Sequence, residues 1–397
     1  MNDSSLSDLS LKVVGSIHKV PAESWDACAA TDRREINPFV RHDFLSALED
    51  SNSVGLDAGW KPQHLVLEAA DGQVLGCAPI YLKGHSYGEY VFDWGWAQAY
   101  ERAGGRYYPK LQCAVPFTPV TGPRLMVRPD LRAETRTALH RTLVAGMIEL
   151  ARELKVSSVH VTFPTEPEFE VMTAAGLLPR LGRQYHWKND GYASFDDFLE
   201  ALSSRKRKNI RKEREKANEA GIEILTLVGD EITSEHWDAF YKFYQSTSDR
   251  KWGSAYLERS FFDLLSARMG EAVVLMMGRK DGRWVCGAIN FRSHDTLYGR
   301  NWGTIVDVPM LHFEVCYYRA IDFAIANKLA WVEAGAQGEH KLQRGYLPRA
   351  TYSAHWIADA GLRGAVARFL EAERQSVVDD MEALTELGPF KRENASP

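Results

Sequence analysis

A chain of 397 residues is long for one core, so two domains or one double-length domain are expected. With 45% hydrophobic, 25% charged and 11% aromatic residues it has the composition of an ordinary globule. Its formal net charge of −5 excludes a surface built throughout to grip DNA.

The five cysteines (Cys28, Cys77, Cys113, Cys286, Cys316) are widely spaced and contain no Cys-x-x-Cys pair. Neither a disulfide framework nor a thiolate zinc site is indicated, and a reduced, cytoplasmic compartment is expected. The opening "MNDSSLSDLSLKVV" has no basic segment leading into an apolar one, so no secretory signal is read there. No apolar run approaches the roughly 18 residues of a membrane span, and any membrane contact is expected to be peripheral.

In chain order, "NPFVRHDFLSALE" (37–49) predicts a helix opening at His42-Asp43. "HLVLEAADGQVLGCAPIYLKGHSYGEYVFDWGWA" (64–97) predicts a strand, an Asp71-Gly72 hairpin turn, a second strand with an internal glycine, and a third strand ending in Trp94-Gly95. On that third strand Tyr90, Phe92, Trp94 and Trp96 would share one face as core, and Glu89 and Asp93 the other. A buried, unpaired carboxylate is costly, so Asp93 should pair with Arg102 or Arg106 or line a cleft. Tyr107 and Tyr108, beside Gly104-Gly105, are expected at a pocket rim. Arg124, in "PFTPVTGPRL", is a candidate anion contact. A long helix (131–155) then leads into the apolar strand "VSSVHVTF".

The polar stretch 188–197 marks a boundary, giving domains at 10–195 and 196–385 and a frayed tail at 386–397. The second domain opens on "SSRKRKNIRKEREK". Between 205 and 216 it holds eight basic and two acidic residues. Ser203 or Ser204 would cap a helix over 203–220 that stops before Gly221. Arg205, Lys208, Arg211 and Lys212 are its candidate anion-binding or donor-binding residues; the plain alternative is a solvated helix balanced by Glu213, Glu215 and Glu219.

The second half then repeats the first. "AVVLMMGRKDGRWVCGAINFRSHDTLYGRNWGT" (272–304) matches 64–97, with Asp281-Gly282 at the turn and Trp302-Gly303 answering Trp94-Gly95. "GLLPRLGRQYHW" (176–187) matches "GYLPRATYSAHW" (345–356) without a gap, so that Gly176 and Gly345, Arg180 and Arg349, and Trp187 and Trp356 each stand 169 apart. Each half reads strand-strand-strand-helix-strand-short helix-strand, a mixed α/β unit.

That doubled order of elements resembles the GNAT acyltransferase fold in tandem. It is similar to the FemAB-type transferases, which attach amino acids to peptidoglycan precursors. Segments 37–49, 88–125, 205–215 and 311–348 resemble, more closely, the FemAB-like predicted N-acyltransferases of bacteria. The resemblance implies tandem GNAT-like domains and transfer of an acyl or aminoacyl group to an amine-bearing acceptor, with a cell-wall precursor as one candidate. It also implies splayed central strands whose free N–H groups serve as donors. The Gln/Arg-x-x-Gly-x-Gly/Ala loop that GNAT domains use for the CoA pyrophosphate is absent before both long helices. Acyl-CoA held in another way, or aminoacyl-tRNA, is then the donor, and no tightly bound cofactor is expected. Peripheral contact with an anionic lipid precursor fits the basic helix.

Acyl transfer to an amine needs a base, oxyanion donors and a proton for the leaving group. "GAQGEHKLQRGYLPR" (335–349) keeps the Gly-x-Leu-Pro-Arg of its counterpart and adds Gln-Gly-Glu-His-Lys. The shared residues read as structure and the added ones as site; the rival reading is a glycine-rich surface turn. His340, Glu339 and Glu333 are the candidate catalytic residues. Gln337, Lys341, Arg344 and Trp302 join Glu89, Asp93, Tyr107, Tyr108 and Arg124 as candidate substrate contacts. His312 and Cys316 lie four apart on a helix but lack a third ligand, so no metal site is read. The alternative to an enzyme is a binding module derived from this fold that recognises peptidoglycan precursors or RNA.

Overall fold

The computed structural model describes residues 9–251, 255–335 and 338–391, the side chains of 248–251 aside. The first half runs β1 (Ser10–Val14), α1 (Ala22–Ala29), α2 (His42–Asp50), β2 (Trp60–Pro62), β3 (His64–Glu68), β4 (Val74–Ala78) and β5 (Ile80–Lys83). It continues with α3 (Trp94–Arg102), β6 (Lys110–Cys113), β7 (Met126–Val127), α4 (Ala133–Glu153), β8 (Ser158–Thr162), α5 (Glu166–Ala174) and β9 (Leu178–Lys188). The second half has α6 (Phe195–Ala201), α7 (Ser204–Asn218), β10 (Glu223–Val228), α8 (Ser234–Lys251), α9 (Arg259–Met269), β11 (Val273–Lys280), β12 (Arg283–Arg292) and β13 (Thr296–Thr304). There follow α10 (Leu311–Phe313), a π turn at Glu314–Tyr318, α11 (Arg319–Ala326), β14 (Trp331–Glu333), a 3-10 turn at Glu339–Arg344, β15 (Leu347–Ile357) and α12 (Ala360–Glu386).

Packing divides the chain into two units that interleave. The first takes the chain up to Gly182 with Tyr256–Phe261 and Ala350–Val377; the second takes Arg183–Ala255, Phe262–Arg349 and the chain from Val378. The division therefore does not fall at the polar stretch after 188, because the last strand of each half finishes in the unit built mainly by the other half. In the first unit β1-β3-β4-β7 form one sheet and β2-β5-β6-β8-β15 run side by side. In the second the order is β10-β11-β12-β13-β14-β9. Each unit has one parallel pair, β6 with β8 and β13 with β14. Each parallel pair is flanked by the incoming strand, β15 antiparallel to β8 and β9 antiparallel to β14.

The repeat predicted by spacing is visible in the backbone. Gly176 and Gly345 both adopt φ +91°, the left-handed region that favours glycine, and each launches an eleven-residue strand two positions later. The Asp-Gly turns close β3-β4 and β11-β12, with Gly72 at φ 84° and Gly282 at φ 74°. The third strand expected at 88–97 does not form. Residues 84–93 are an irregular strap, and Trp94 opens α3, so Trp94-Gly95 has no structural counterpart in Trp302-Gly303 of β13. Helical spacing decides the outcome: Trp96, Ala97 and Tyr100 reach the core, while Phe92 and Trp94 are 41% and 39% exposed. The alternating aromatics imitate a strand without being one.

The first unit's main core packs Leu139, Leu143, Val144 and Met147 of α4 on Leu65, Leu67, Leu75 and Val161. The second packs Val315, Ile321 and Ala324 on Trp187, Val332 and Leu297. Each fully buried leucine or valine contributes about 1.5–3 kcal/mol. The tail is not frayed throughout. Ser203 N–H donates to the Pro389 carbonyl (2.9 Å) and Lys391 N–H to that of Ala201 (3.0 Å), while 392–397 lie outside the described residues. Among the described residues no helix is long and apolar enough to cross a membrane.

Candidate active site

In the second unit β13 and β14 pair in parallel over three residues only, Thr296–Tyr298 against Trp331–Glu333. Beyond that point β14 ends while β13 runs on to Thr304, so among the described residues one edge of β13 has no partner strand. The register with β12 shifts between Ile289 and Asn290, which face Asn301 and Gly299 of β13. The result is a fork, with Glu333 at its vertex.

Glu333 is cross-strand partner to His186 of β9, and Glu333 Oε1 lies 4.0 Å from His186 Nδ1. Its Oε2 is buried and has no hydrogen-bond partner. Burial, opposed by Arg300, raises the Glu333 carboxyl to about 8, so it is a neutral acid at pH 7. Burial first, then the charges of Arg349 and Lys341, lowers His186 to about 3. Just past the vertex, Lys341 is buried and its Nζ donates to the Gly335 carbonyl at 2.9 Å. Desolvation lowers that amine to about 7.

His340 sits on the 3-10 turn, exposed, with Nε2 2.9 Å from Tyr317 Oη. What burial it has, and then Arg344 and Lys341, lower its pKa, so the imidazole is neutral at pH 7. Gly338 makes room for the ring: a Cβ there would lie 2.5 Å from His340 Cε1, and the backbone stands at φ +117°. Around the ring lie Phe313, Tyr317 and His312, and Trp302 packs at 5.5 Å from His312.

Not every expected residue is available. Arg344 is buried, its Nε and Nη2 on Glu213 (3.1 and 2.9 Å), its Nη1 on the His340 carbonyl (2.6 Å) and its plane over Phe313; it braces the turn and has no fork left for a substrate. Glu339 projects into solvent, 73% exposed at the side chain and 3.7 Å from Arg183. Gln337 lies outside the described residues. On α7, Arg211 is paired with Asp196 and Glu200, Arg207 with Glu200, and Arg214 with Glu314 and Asp322. Arg205, Lys208 and Lys212 are exposed and meet no acid among the described residues; with Lys216 they form a row at i, i+3, i+7 and i+11. The row is narrower than the run of charges suggested.

In the first unit Glu89, Asp93, Tyr107 and Tyr108 come together around a residue that sequence reasoning missed. Lys110 Nζ, fully buried, donates to Glu89 (2.7 Å), Asp93 (2.5 Å) and Ser86 (2.8 Å). Burial would lower its pKa, but the two carboxylates raise it, and it stays charged. Against the upward push of burial, Lys110 holds Asp93 far below the usual carboxylate range. Lys110 thus takes the part expected of Arg102 or Arg106. Tyr107 is no rim residue: it is buried and donates to Asp93 (2.7 Å). Tyr108 is partly buried, 2.8 Å from Ser86 Oγ.

The chain of contacts continues from Tyr107 to His160 Nε2 (3.2 Å) and from His160 Nδ1 to His355 Nδ1 (2.7 Å). Ser158 and Ser353 close its ends at 2.8 and 3.0 Å. His355 and His160 are cross-strand partners, as His186 and Glu333 are in the second unit. The histidines aligned in "QYHW" and "SAHW", His186 and His355, are the signal from which these positions could have been found. Arg124 is no anion contact. It is 1% exposed, and its guanidinium donates to the carbonyls of Val120, Gly122, Pro123 and Thr162, stapling 120–125.

A family model described as FemAB-like, peptidoglycan biosynthesis/recognition, matches residues 16–392. No curated protein matches the sequence. Among solved structures, FemX is similar with a TM-score of 0.53 at 11% identity, over 88% of this chain and 98% of that one. The C-terminal domain of a putative lysylphosphatidylglycerol synthetase from Agrobacterium fabrum gives 0.50 at 9% identity, over 83% and 90%. A tandem GNAT protein of clavulanic acid biosynthesis gives 0.47 at 12%, over 88% and 98%. The fold is the mixed α/β, tandem GNAT-like one that the resemblance implied.

Proposed function

The chain belongs to the FemAB-like family, and from that premise we propose that its second unit moves an acyl or aminoacyl group from an activated donor to an amine, with a cell-wall precursor as the acceptor class. The observation that carries this reading is the fork: an open edge of β13 with a buried, neutral acid at its vertex and a neutral imidazole on the adjoining turn.

Three tasks are divided among these groups. The acceptor amine must lose a proton as it attacks the donor carbonyl, and His340 takes it. In the tautomer whose Nε2–H donates to Tyr317 Oη, Nδ1 holds the lone pair. Negative charge grows on the carbonyl oxygen as the C–N bond forms, and we assign its stabilisation to backbone N–H groups on the β13 edge beyond the vertex. Glu333, protonated below about 8, supplies a proton to the departing group as the bond to the donor breaks. Lys341 ties the 3-10 turn to the Gly335 carbonyl, just past the vertex. The row Arg205, Lys208, Lys212 and Lys216 holds phosphates of the donor, whether acyl-CoA or aminoacyl-tRNA.

The test is a transfer assay with the full chain, labelled acyl-CoAs and aminoacyl-tRNAs as donors, and muramyl-pentapeptide precursors as acceptors. Label should reach the acceptor amine with wild type and fall at least about a hundredfold with His340→Ala. Absence of transfer from every donor, or full transfer by the variant, would refute the reading.

A further inference from the structure

In the first unit one sheet face carries polar side chains where a core would ordinarily be apolar. Lys83 of β5 stands opposite Trp60 of β2 on one side and Lys110 of β6 on the other. One pleat along, Tyr81 stands opposite Gln112, and Gln112 opposite His160. Opposed residues share a face, as do residues two apart, so all of these point to the same side of the sheet. The strap 84–93 joins this cluster, bringing Glu89 and Asp93 and bonding its Tyr87 carbonyl to Lys83 Nζ at 3.0 Å.

What sets this cluster apart is what it leaves unbonded. Buried polar atoms are nearly always hydrogen-bonded, yet Trp60 Nε1, Tyr81 Oη, Glu89 Oε1, Asp93 Oδ1 and Gln112 Oε1 have no partner among the described residues. All five side chains are buried. Lys83 Nζ, 3.5 Å above the Trp60 ring, stops 3.9 Å from Glu89 Oε1, beyond hydrogen-bond reach. Burial lowers Lys83 to about 6 and raises Glu89 to about 7, as for charged groups kept from full partners.

The unfilled atoms fall into two sets. Glu89, Asp93 and Gln112 offer three acceptor oxygens, which suit the three N–H donors of an ammonium. The Trp60 N–H and the Lys83 amine offer donors, which suit a carboxylate, while Tyr81 packs against His64 and faces Glu49. Two lysines stand against two acids, so the complement carries no net charge. We infer that this face of the first unit binds the zwitterionic head group of an α-amino acid, its ammonium toward Glu89, Asp93 and Gln112 and its carboxylate toward Trp60 and Lys83. The inference stands on the first unit alone and does not rest on the transfer chemistry assigned to the second.

Calorimetric titration of the full chain with the common L- and D-amino acids tests it, each beside its amide, which lacks the carboxylate, and its N-acetyl derivative, which lacks the ammonium. At least one amino acid should bind at least about tenfold more tightly than both derivatives, because a site built around polar groups rejects a ligand that leaves them empty. Glu89→Gln, equal in size, should weaken that ligand by about tenfold or more while the chain stays folded by circular dichroism. No binding by any amino acid, equal binding by a derivative, or unchanged affinity in folded Glu89→Gln would overturn it. Each of those outcomes leaves the transfer assay free to succeed.

Discussion

The two units present the same place in the scaffold in two chemical states. In each, the long strand that begins at a left-handed glycine brings a histidine beside a titratable residue on the strand of the parallel pair: the buried His355 beside His160 in the first, the partly buried His186 beside Glu333 in the second. The first pair is sealed into a chain running through Tyr107 and Asp93 to Lys110. The second ends at an oxygen with no partner, at the mouth of a strand fork. The two copies differ in what they bond. The histidine pair is held within a hydrogen-bonded network, although Glu89 and Asp93 each keep one oxygen unbonded. Glu333 stands at the open edge to which we assign the reactive role.

The widest test of that contrast is to break the sealed side. Lys110→Met would leave Glu89 and Asp93 buried without their cation, and removing one partner of a buried ion pair costs about 3–5 kcal/mol. Urea unfolding should show that loss; a variant as stable as wild type would mean the network does not hold the first unit together.

The open side should behave in the opposite way. His340→Ala removes an exposed ring and should lower transfer at least about a hundredfold with the melting temperature nearly unchanged. A parallel loss of folding would assign His340 to structure instead.

Gly338→Ala sharpens the contrast by moving the base without removing it. The added methyl would meet the imidazole at 2.5 Å, so turnover should fall about tenfold, with the loss confined to kcat. Unchanged kcat would show that the ring position is not critical.

Much of the fold was legible because its signals are local. Asp-Gly turns, the glycine pair 169 residues apart, and a basic helix stopping before Gly221 each depend on neighbours in sequence. The failures have a common physical cause, which is partnership across distance. "YYPKLQC" gives no hint that Lys110 is buried, since its acids stand 17 and 21 residues earlier. Arg124 and Arg344 read as anion contacts until their guanidinium groups prove to be occupied by backbone carbonyls and Glu213. The strap 84–93 was misread because its aromatics alternate by accident at the period of a strand. At the candidate site, His340 and Lys341 were marked by the residues added to one copy of the repeat and Glu333 by its place at the strand end, whereas His186, shared with the other copy as His355, was passed over as structure.

The rate of transfer against pH, measured for wild type and Glu333→Gln, tests the central claim most directly. His340 titrates below its ordinary value, so activity should rise with pH through a point under about 6.5 as the imidazole becomes neutral. Glu333 titrates at about 8, so activity should fall as pH rises through that value and the acid loses its proton. Glu333→Gln should turn over more slowly and lack the alkaline fall while keeping the acid limb. A variant profile that matched wild type in height and in both limbs would contradict the account.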